Sequence, residues 1–274
     1  MSDLYCVFGN PIAHSKSPAI HAAFAAATGQ ELNYVARLAA VDGFFAAMSD
    51  FVAAGGKGAN VTVPFKEDAY RASTRLSERA ARAGAVNTLA FAGDEIVGDN
   101  TDGAGLVRDI VHNLGFPVAG KRILLLGAGG ASRGVIAPLL AEKPASLFIA
   151  NRSSEKAVGL AGAFADMASI EAGSFEQTAG RSFDLVINAT SASLSGENLP
   201  LPAGIFAPGC LAYDMMYGRG DTPFLAMARQ QGAARLADGL GMLVEQAAEA
   251  FFVWRGVRPA TGEVLAALRA KLAE

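Results

Sequence analysis

The sequence predicts an α/β protein of two domains with a cleft between them, and three features of its 274 residues carry that reading. Short apolar strands alternate with amphipathic helical stretches, the pattern of a parallel or mixed sheet covered by helices. The alternation begins twice, once near the N-terminus and again at Lys121. Between the two runs, 93–102 is polar and glycine-bearing, with no internal repeat or low-complexity linker, which points to two closely packed domains.

The first run reads as a strand at 4–8, a helical face at Ile20, Phe24 and Ala27, a strand at 32–38, a helical face at Phe44, Met48 and Phe51, and a strand at 59–63. Leu106, Ile110 and Leu114 have helical spacing and predict a crossover helix over 103–114. The second run opens with a continuous apolar strand at 122–126, enters a helix through Val135, Leu139 and Leu140, and adds strands at 146–150, 185–188 and 211–214. Leu240, Leu243, Ala247, Phe251 and Trp254 form one face of a long helix, and Val264, Leu268 and Leu272 a face of another; both are expected to return to the first domain. The domains are therefore placed at 1–102 plus 240–274 and at 103–239.

Composition narrows the function. With 51% hydrophobic and 18% charged residues the chain can bury a substantial core. A net charge of -3 with scattered Lys and Arg offers no basic stripe to a nucleic acid. No stretch approaches the ~18–20 apolar residues of a membrane span, and the first ten residues lack the basic start and long apolar run of a secretory signal. The mature protein is expected to begin here and to reside in the cytoplasm. Cys6 and Cys210 are too few and too distant for a disulfide framework. His14, His21 and His112 show no ligand spacing and are read as exposed or locally hydrogen-bonded, so no metal is assigned.

Gly127, Ala128, Gly129, Gly130, Ala131 and Ser132 follow a buried strand and open a helix, the setting of a dinucleotide fingerprint in a Rossmann-type domain. Gly127 permits the tight turn, Gly129 lets backbone approach a pyrophosphate, and the helix N-terminus presents free N–H groups to the anion. Ser132 stands where a third glycine or alanine is commoner. The next strand ends at Ala150, followed by Asn151, Arg152, Ser153, Ser154, Glu155 and Lys156. No acid sits at the strand end to accept a ribose 2′-hydroxyl, whereas Arg152 offers a fork to a 2′-phosphate, with Ser153 and Lys156 as further donors. NADP is the expected cofactor.

In the first domain, Ser15, Lys16, Ser17 and Pro18 precede a helical pattern. Capping accounts for Ser17 but not Ser15, and two hydroxyls beside a helix N-terminus also seat a carboxylate; both readings stand. Asn60 and Thr62 project to one face of a strand whose turn delivers Lys66. A lone lysine is usually a solvated charge. Asn87 and Thr88 end a short strand, and Thr101 or Asp102 can cap the crossover helix.

The segments 9–18 (GNPIAHSKSP), 60–66 (NVTVPFK), 84–88 (GAVNT) and 100–103 (NTDG), in that order and spacing, resemble the successive signatures of shikimate dehydrogenases. The resemblance continues through Gly127–Ala131, Asn151-Arg152, 188–190 (NAT), 213–217 (YDMMY) and 238–244 (DGLGMLV) to Gln246. It implies reversible reduction of 3-dehydroshikimate to shikimate with NADPH, a step of chorismate and aromatic amino-acid biosynthesis. By that resemblance Ser15, Ser17, Asn60 and Thr62 serve the substrate, the hydroxyl residues on its carboxylate side with Tyr217 nearby. Asn87, Asp102 and Gln246 meet its ring hydroxyls, and Lys66 and Asp102 are the catalytic pair. Gly127–Ala131 cradle the pyrophosphate, Asn151 to Lys156 the adenosine phosphate, and Thr190, Met215 and Gly239 complete the cofactor set.

Two rivals share the fold: a quinate/shikimate dehydrogenase of broader substrate and cofactor use, and a non-catalytic sensor of the same metabolite. Arg152 counts against the first. Lys66 with Asp102 and the glycine turn count against the second. The partners expected are the small-molecule substrate alone, with neither nucleic acid nor membrane, in a monomer or homodimer.

Overall fold

The computed structural model describes residues 2–196 and 199–273. Its chain groups into two compact units, one running to Gly105 and including Val244–Val264, the other comprising Leu106–Leu243 and the stretch from Leu265.

The first unit holds six strands, β1 (Asp3–Gly9), β2 (Leu32–Leu38), β3 (Gly56–Val61), β4 (Arg75–Leu76), β5 (Thr88–Ala92) and β6 (Glu95–Asp99). Its helices are α1 (Ser17–Thr28), α2 (Phe44–Ala53), α3 (Lys66–Ala72) and α4 (Glu78–Ala83). The sheet order is β2-β1-β3-β5-β6-β4; β1 runs parallel to β2 and β3, while β5 is antiparallel to β3 and β6. As the spacing predicts, α2 buries Phe44, Met48 and Phe51, and Phe8 of β1 meets Phe44 and Phe51 edge-on at 5.7 and 5.8 Å. Such pairs stabilise by ~0.5–1.5 kcal/mol beyond their buried area.

Three sequence readings in this unit are corrected. Ala27 is exposed, and α1 turns Ile20, His21, Phe24 and Ala25 inward. β3 ends at Val61, ahead of the turn that holds the cis Val63–Pro64 peptide. Thr88 begins a strand rather than ending one. Within the polar stretch 93–102, Gly93 and Asp94 turn a β5–β6 hairpin that belongs to the sheet.

Chain passes from the first unit to the second within α5 (Asp102–Arg108), whose last residue leads into a wider π turn at Asp109–Asn113 in place of the expected regular helix. Leu106 and Ile110 are buried as their spacing predicts.

The second unit carries β7 (Arg122–Leu126), β8 (Ser146–Ala150), β9 (Glu171–Gly173), β10 (Phe183–Asn188), β11 (Phe206–Asp214) and β12 (Arg235–Ala237). All pair in parallel in the order β12-β11-β10-β7-β8-β9. Its helices are α6 (Gly130–Ala141), α7 (Ser154–Gly162), α8 (Ala192–Ser195) and α9 (Pro223–Gln230). β11 starts at Phe206, five residues before the predicted strand, since Pro208 and Gly209 read as a turn. The strand order reverses between β7 and β10, and ligands of such sheets bind beyond the strand ends at that point.

α10 (Leu240–Arg255) and α11 (Gly262–Ala273) close the chain. Leu240–Leu243 and the residues from Leu265 group with the second unit rather than the first. The physical reason is local: Gly241 lies against the Asp109 carboxylate, and Arg269 clasps Asp238 with two bonds of 2.6 and 2.7 Å. Among the described residues no helix is long and apolar enough to cross a membrane.

Candidate active site

Lys66 opens α3 and Asp102 opens α5, and Nζ of the lysine donates to Oδ2 of the carboxylate at 2.5 Å. Their side chains are 32% and 13% exposed, so the ammonium is the more accessible member of a partly buried pair. Asn87, at the head of β5, donates to the second carboxylate oxygen at 2.8 Å and to Oε1 of Gln246 at 3.3 Å. The Asn87 oxygen accepts from the Thr101 backbone N–H at 2.9 Å, which fixes which way its amide faces. Asn100 Oδ1 accepts from the Asp102 N–H at 3.1 Å, and the Thr101 hydroxyl bonds to Asn87 and Gln246 rather than capping α5.

Gly105 is the residue sequence reasoning missed here. A Cβ at this position would lie 2.6 Å from the Gln246 backbone nitrogen, so only glycine lets α5 pass α10 closely enough to bring Gln246 beside Asn87. At the end of β6, Arg79 grips Asp99 through bonds of 2.7 and 2.6 Å, and Asp99 also accepts from Asn100 N–H at 2.7 Å. Burial pushes the Asp99 carboxyl up, but the Arg79 bonds and charge outweigh it and hold the group below its ordinary range.

The serines change roles relative to the capping reading. Ser17 is the first residue inside α1, preceded by Lys16, and makes no cap bond; Ser15 Oγ instead accepts the Ser17 N–H at 3.3 Å. Ser17 is buried and its hydroxyl pairs with Tyr34, whose phenol burial holds well above its usual range. Thr62 is half-buried, and its backbone N–H donates to Phe8 O at 2.9 Å. Asn60 is the exception among the expected substrate contacts. Its oxygen accepts from Tyr34 at 2.7 Å and its nitrogen donates to Asn87 O and Thr88 Oγ1 at 3.2 and 3.1 Å, so its amide is already engaged by protein. His21 is neither exposed nor locally bonded, since its Nε2 lies 3.2 Å from Asn60 Oδ1 across 39 residues of chain.

In the second unit a cavity of about 530 Å³ opens at the strand-order reversal, lined by Gly127, Ala128, Gly129, Gly130, Ala131, Asn151, Arg152 and Thr190. Gly127 has φ +106°, a conformation that side chains strain, and a Cβ there would press within 3.1 Å of Thr190. Gly129 and Gly130 face open space at the N-terminus of α6, where unpaired N–H groups and the helix dipole favour an anion. The donor set therefore fits a dinucleotide pyrophosphate. No acid stands at the end of β8, and Arg152 is exposed at the cavity wall, which fits a 2′-phosphate. Ser153 and Lys156 do not line the cavity; the Ser153 hydroxyl turns to Glu155 at 2.9 Å.

Ala189 also lines the cavity; Phe175, Ser191, Ala192, Leu199 and Pro200 complete the lining and were not singled out from sequence, because they follow β9 and β10 with no motif of their own. Elsewhere in this unit, Gly239 packs on the Met215 backbone, since a Cβ would lie 2.1 Å from Met215 O. Tyr217 is half-buried, and burial raises its phenol. Asp214, also missed, is fully buried and accepts from Ser193, Thr222, Asn188 and the Met216 N–H at 2.6, 2.5, 3.1 and 3.0 Å. It ties the loop after β10, which carries Thr190, to the loop after β11, which carries Met215. A charged residue closing an apolar strand was the available signal, because a buried carboxylate requires such donors.

Residues 7–89 match the shikimate dehydrogenase substrate binding domain, 109–195 the shikimate / quinate 5-dehydrogenase family, and 239–269 the shikimate 5'-dehydrogenase C-terminal domain. Shikimate dehydrogenase (NADP(+)) of Dechloromonas aromatica is 80% identical over 272 residues, covering 99% of each chain. The crystal structure of an Ael1 enzyme from Pseudomonas putida has a TM-score of 0.93 at 52% identity, over 97% of this chain and 98% of that one. Shikimate 5-dehydrogenase from Thermus thermophilus, solved in complex with NADP(H) and shikimate, has a TM-score of 0.87 at 32% identity, over 98% and 100% of the two chains.

Proposed function

The chain belongs to the family of NADP(+)-dependent shikimate dehydrogenases, and from that premise we propose how its own residues carry the reversible NADPH-dependent reduction of 3-dehydroshikimate to shikimate. The observation that carries the proposal is the Lys66–Asp102 pair, with Asn87 and Gln246 joined to the same carboxylate environment.

Bound NADPH supplies the hydride, which leaves the protein to place the carbonyl and to neutralise the oxygen that gains charge. Lys66 does the second. Its ammonium stabilises the developing alkoxide and gives the proton from Nζ, while Asp102 aims the ammonium and accepts from a substrate hydroxyl. Asn87 and Gln246 present amide groups to the ring hydroxyls. Ser15, Ser17 and Thr62 hold the carboxylate, and Tyr217 serves the same substrate. Asn60, whose amide is engaged by protein, supports this set from behind.

For the cofactor, Gly127–Ala131 receive the pyrophosphate and Arg152 the 2′-phosphate, with Asn151 and Thr190 in the cavity wall and the Met215 and Gly239 backbones at the nicotinamide. The unit ending at Gly105 is the substrate half and Leu106–Leu243 the NADP half. Cytoplasmic residence and the absence of a nucleic-acid partner belong to the same reading, resting on composition and charge, and a monomer or homodimer is proposed with them.

One assay tests this reading against its rivals: purified protein with shikimate or quinate, each with NADP and NAD. Turnover of shikimate with NADP, at least ~10-fold preferred over the other three combinations in kcat/KM, is expected. Equal use of quinate or NAD would favour the broader enzyme, and tight shikimate binding without turnover would favour the sensor.

A further inference from the structure

His21 is fully buried on α1, stacked on Tyr34 with ring centroids 4.2 Å apart and planes 7° from parallel, and enclosed by Phe24, Phe251 and Trp254. Its two ring nitrogens are treated differently. Nε2 lies 3.2 Å from Asn60 Oδ1, whereas Nδ1 has no hydrogen-bond partner. The Asn60 amide is oriented by the Asn87 carbonyl, which can only accept and so takes the Asn60 NH₂ at 3.2 Å. Asn60 therefore shows its oxygen to the histidine, and Nε2 must carry the proton and donate. A phenylalanine would fill the same stack without leaving a bare nitrogen in the core, so packing alone does not account for a histidine here.

The donation does not stop at Asn60. Asn60 Nδ2 donates to Thr88 Oγ1 at 3.1 Å, Thr88 Oγ1 to Asn87 Oδ1 at 2.9 Å, and Asn87 Nδ2 to Asp102 Oδ1 at 2.8 Å. All four donors point the same way, from His21 towards the carboxylate. The residues along it are between 0% and 9% exposed. Aligned bonds in a dry interior polarise one another, and a chain of this kind fixes the rotamer of every member.

We propose that His21 is a positioning residue for the Lys66–Asp102 pair: through Asn60, Thr88 and Asn87 it holds the Asp102 carboxylate in the orientation the chemical step uses, without touching substrate. The inference rests on the catalytic reading of Lys66 and Asp102 given above.

His21→Phe and His21→Gln separate hydrogen bonding from packing. Phenylalanine keeps the ring and removes the donor; glutamine keeps an N–H donor and removes the ring. Kinetics at saturating shikimate and NADP should show His21→Phe with kcat lowered on the order of tenfold and both KM values within about twofold, while His21→Gln keeps kcat within about threefold. Thr88→Val, near-isosteric, cuts the same chain at its middle link, and should lower kcat alike even where His21→Phe does not fold. A folded His21→Phe with normal kcat, a His21→Gln as slow as His21→Phe, or a folded Thr88→Val with normal kcat would each overturn the proposal. Asp102→Asn in the same assay tells the two layers apart. If Asp102→Asn loses kcat while His21→Phe keeps it, only the positioning role falls; if Asp102→Asn keeps kcat, the catalytic reading falls and the positioning role with it.

Discussion

Lys66 and Asp102 are each the first residue of a helix, and the ammonium of one meets the carboxylate of the other at 2.5 Å. A helix N-terminus favours an anion and disfavours a cation, so Asp102 sits where the backbone supports its charge and Lys66 where it does not. The carboxylate is what keeps the ammonium in place. Asp102→Asn should therefore lower kcat by at least ~10-fold, and the Lys66→Ala/Asp102→Asn double variant should lose much less than the product of the singles. Multiplicative losses in steady-state kcat would show that the two residues act independently.

In the proposed site Ser15 and Ser17 hold the substrate carboxylate, which does not change charge during hydride transfer. Binding of that kind is felt alike in ground and transition states. Ser15→Ala and Ser17→Ala should raise KM for shikimate about 5- to 15-fold, the loss of one hydrogen bond of ~1–1.5 kcal/mol, with kcat within about threefold. A kcat loss as large as that in the Asp102 variant would move the serines into the chemical step.

Arg152 is the charged side chain on the wall of the cavity proposed for the dinucleotide, while Ser153 and Lys156 stand outside its lining. Arg152→Ala should weaken NADP binding by ~1.5–3 kcal/mol, roughly 10- to 150-fold, and leave NAD binding nearly unchanged. Titration of both cofactors by fluorescence checks this; equal losses would make Arg152 a support of the fold.

Burial pushes His21 down to about 3, against the opposing pull of its Asn60 bond. Between that value and the ordinary ~6.5 of an unfolded histidine, the unfolded chain binds the extra proton. The contribution is thus present above pH ~6.5 and is lost as pH falls, by at most ~1.4 kcal/mol per pH unit. Urea midpoints at pH 7.5, 6 and 5 should fall more steeply for the native chain than for His21→Phe. Parallel curves would show that His21 does not couple folding to protons.

Local periodicity made much of the fold legible. β2, β7 and β8 lie where their apolar runs place them, and α2 buries the three residues its spacing selects. Failures came where the local pattern alone does not decide the outcome. Thr88 reads as the end of a strand but begins β5, and Ala27 continues a helical stripe that α1 does not bury. Within the site, motif order named Lys66, Asp102, Asn87 and Gln246, yet no spacing could reveal that Asn60 is engaged by Tyr34 and Thr88, or that Gly105 makes room for Gln246. Those facts are made by strands and helices far apart in sequence meeting in space.

The proposed action of Lys66 in the chemical step is tested most directly by the kcat of Lys66→Ala for shikimate oxidation at saturating NADP. A positioned proton-transfer group contributes ~10²–10⁴ in rate. The expected result is a kcat lowered at least ~100-fold, with NADP affinity and thermal unfolding close to the native chain. A Lys66→Ala enzyme with near-native kcat and only a raised KM for shikimate would contradict it and leave Lys66 a substrate clamp.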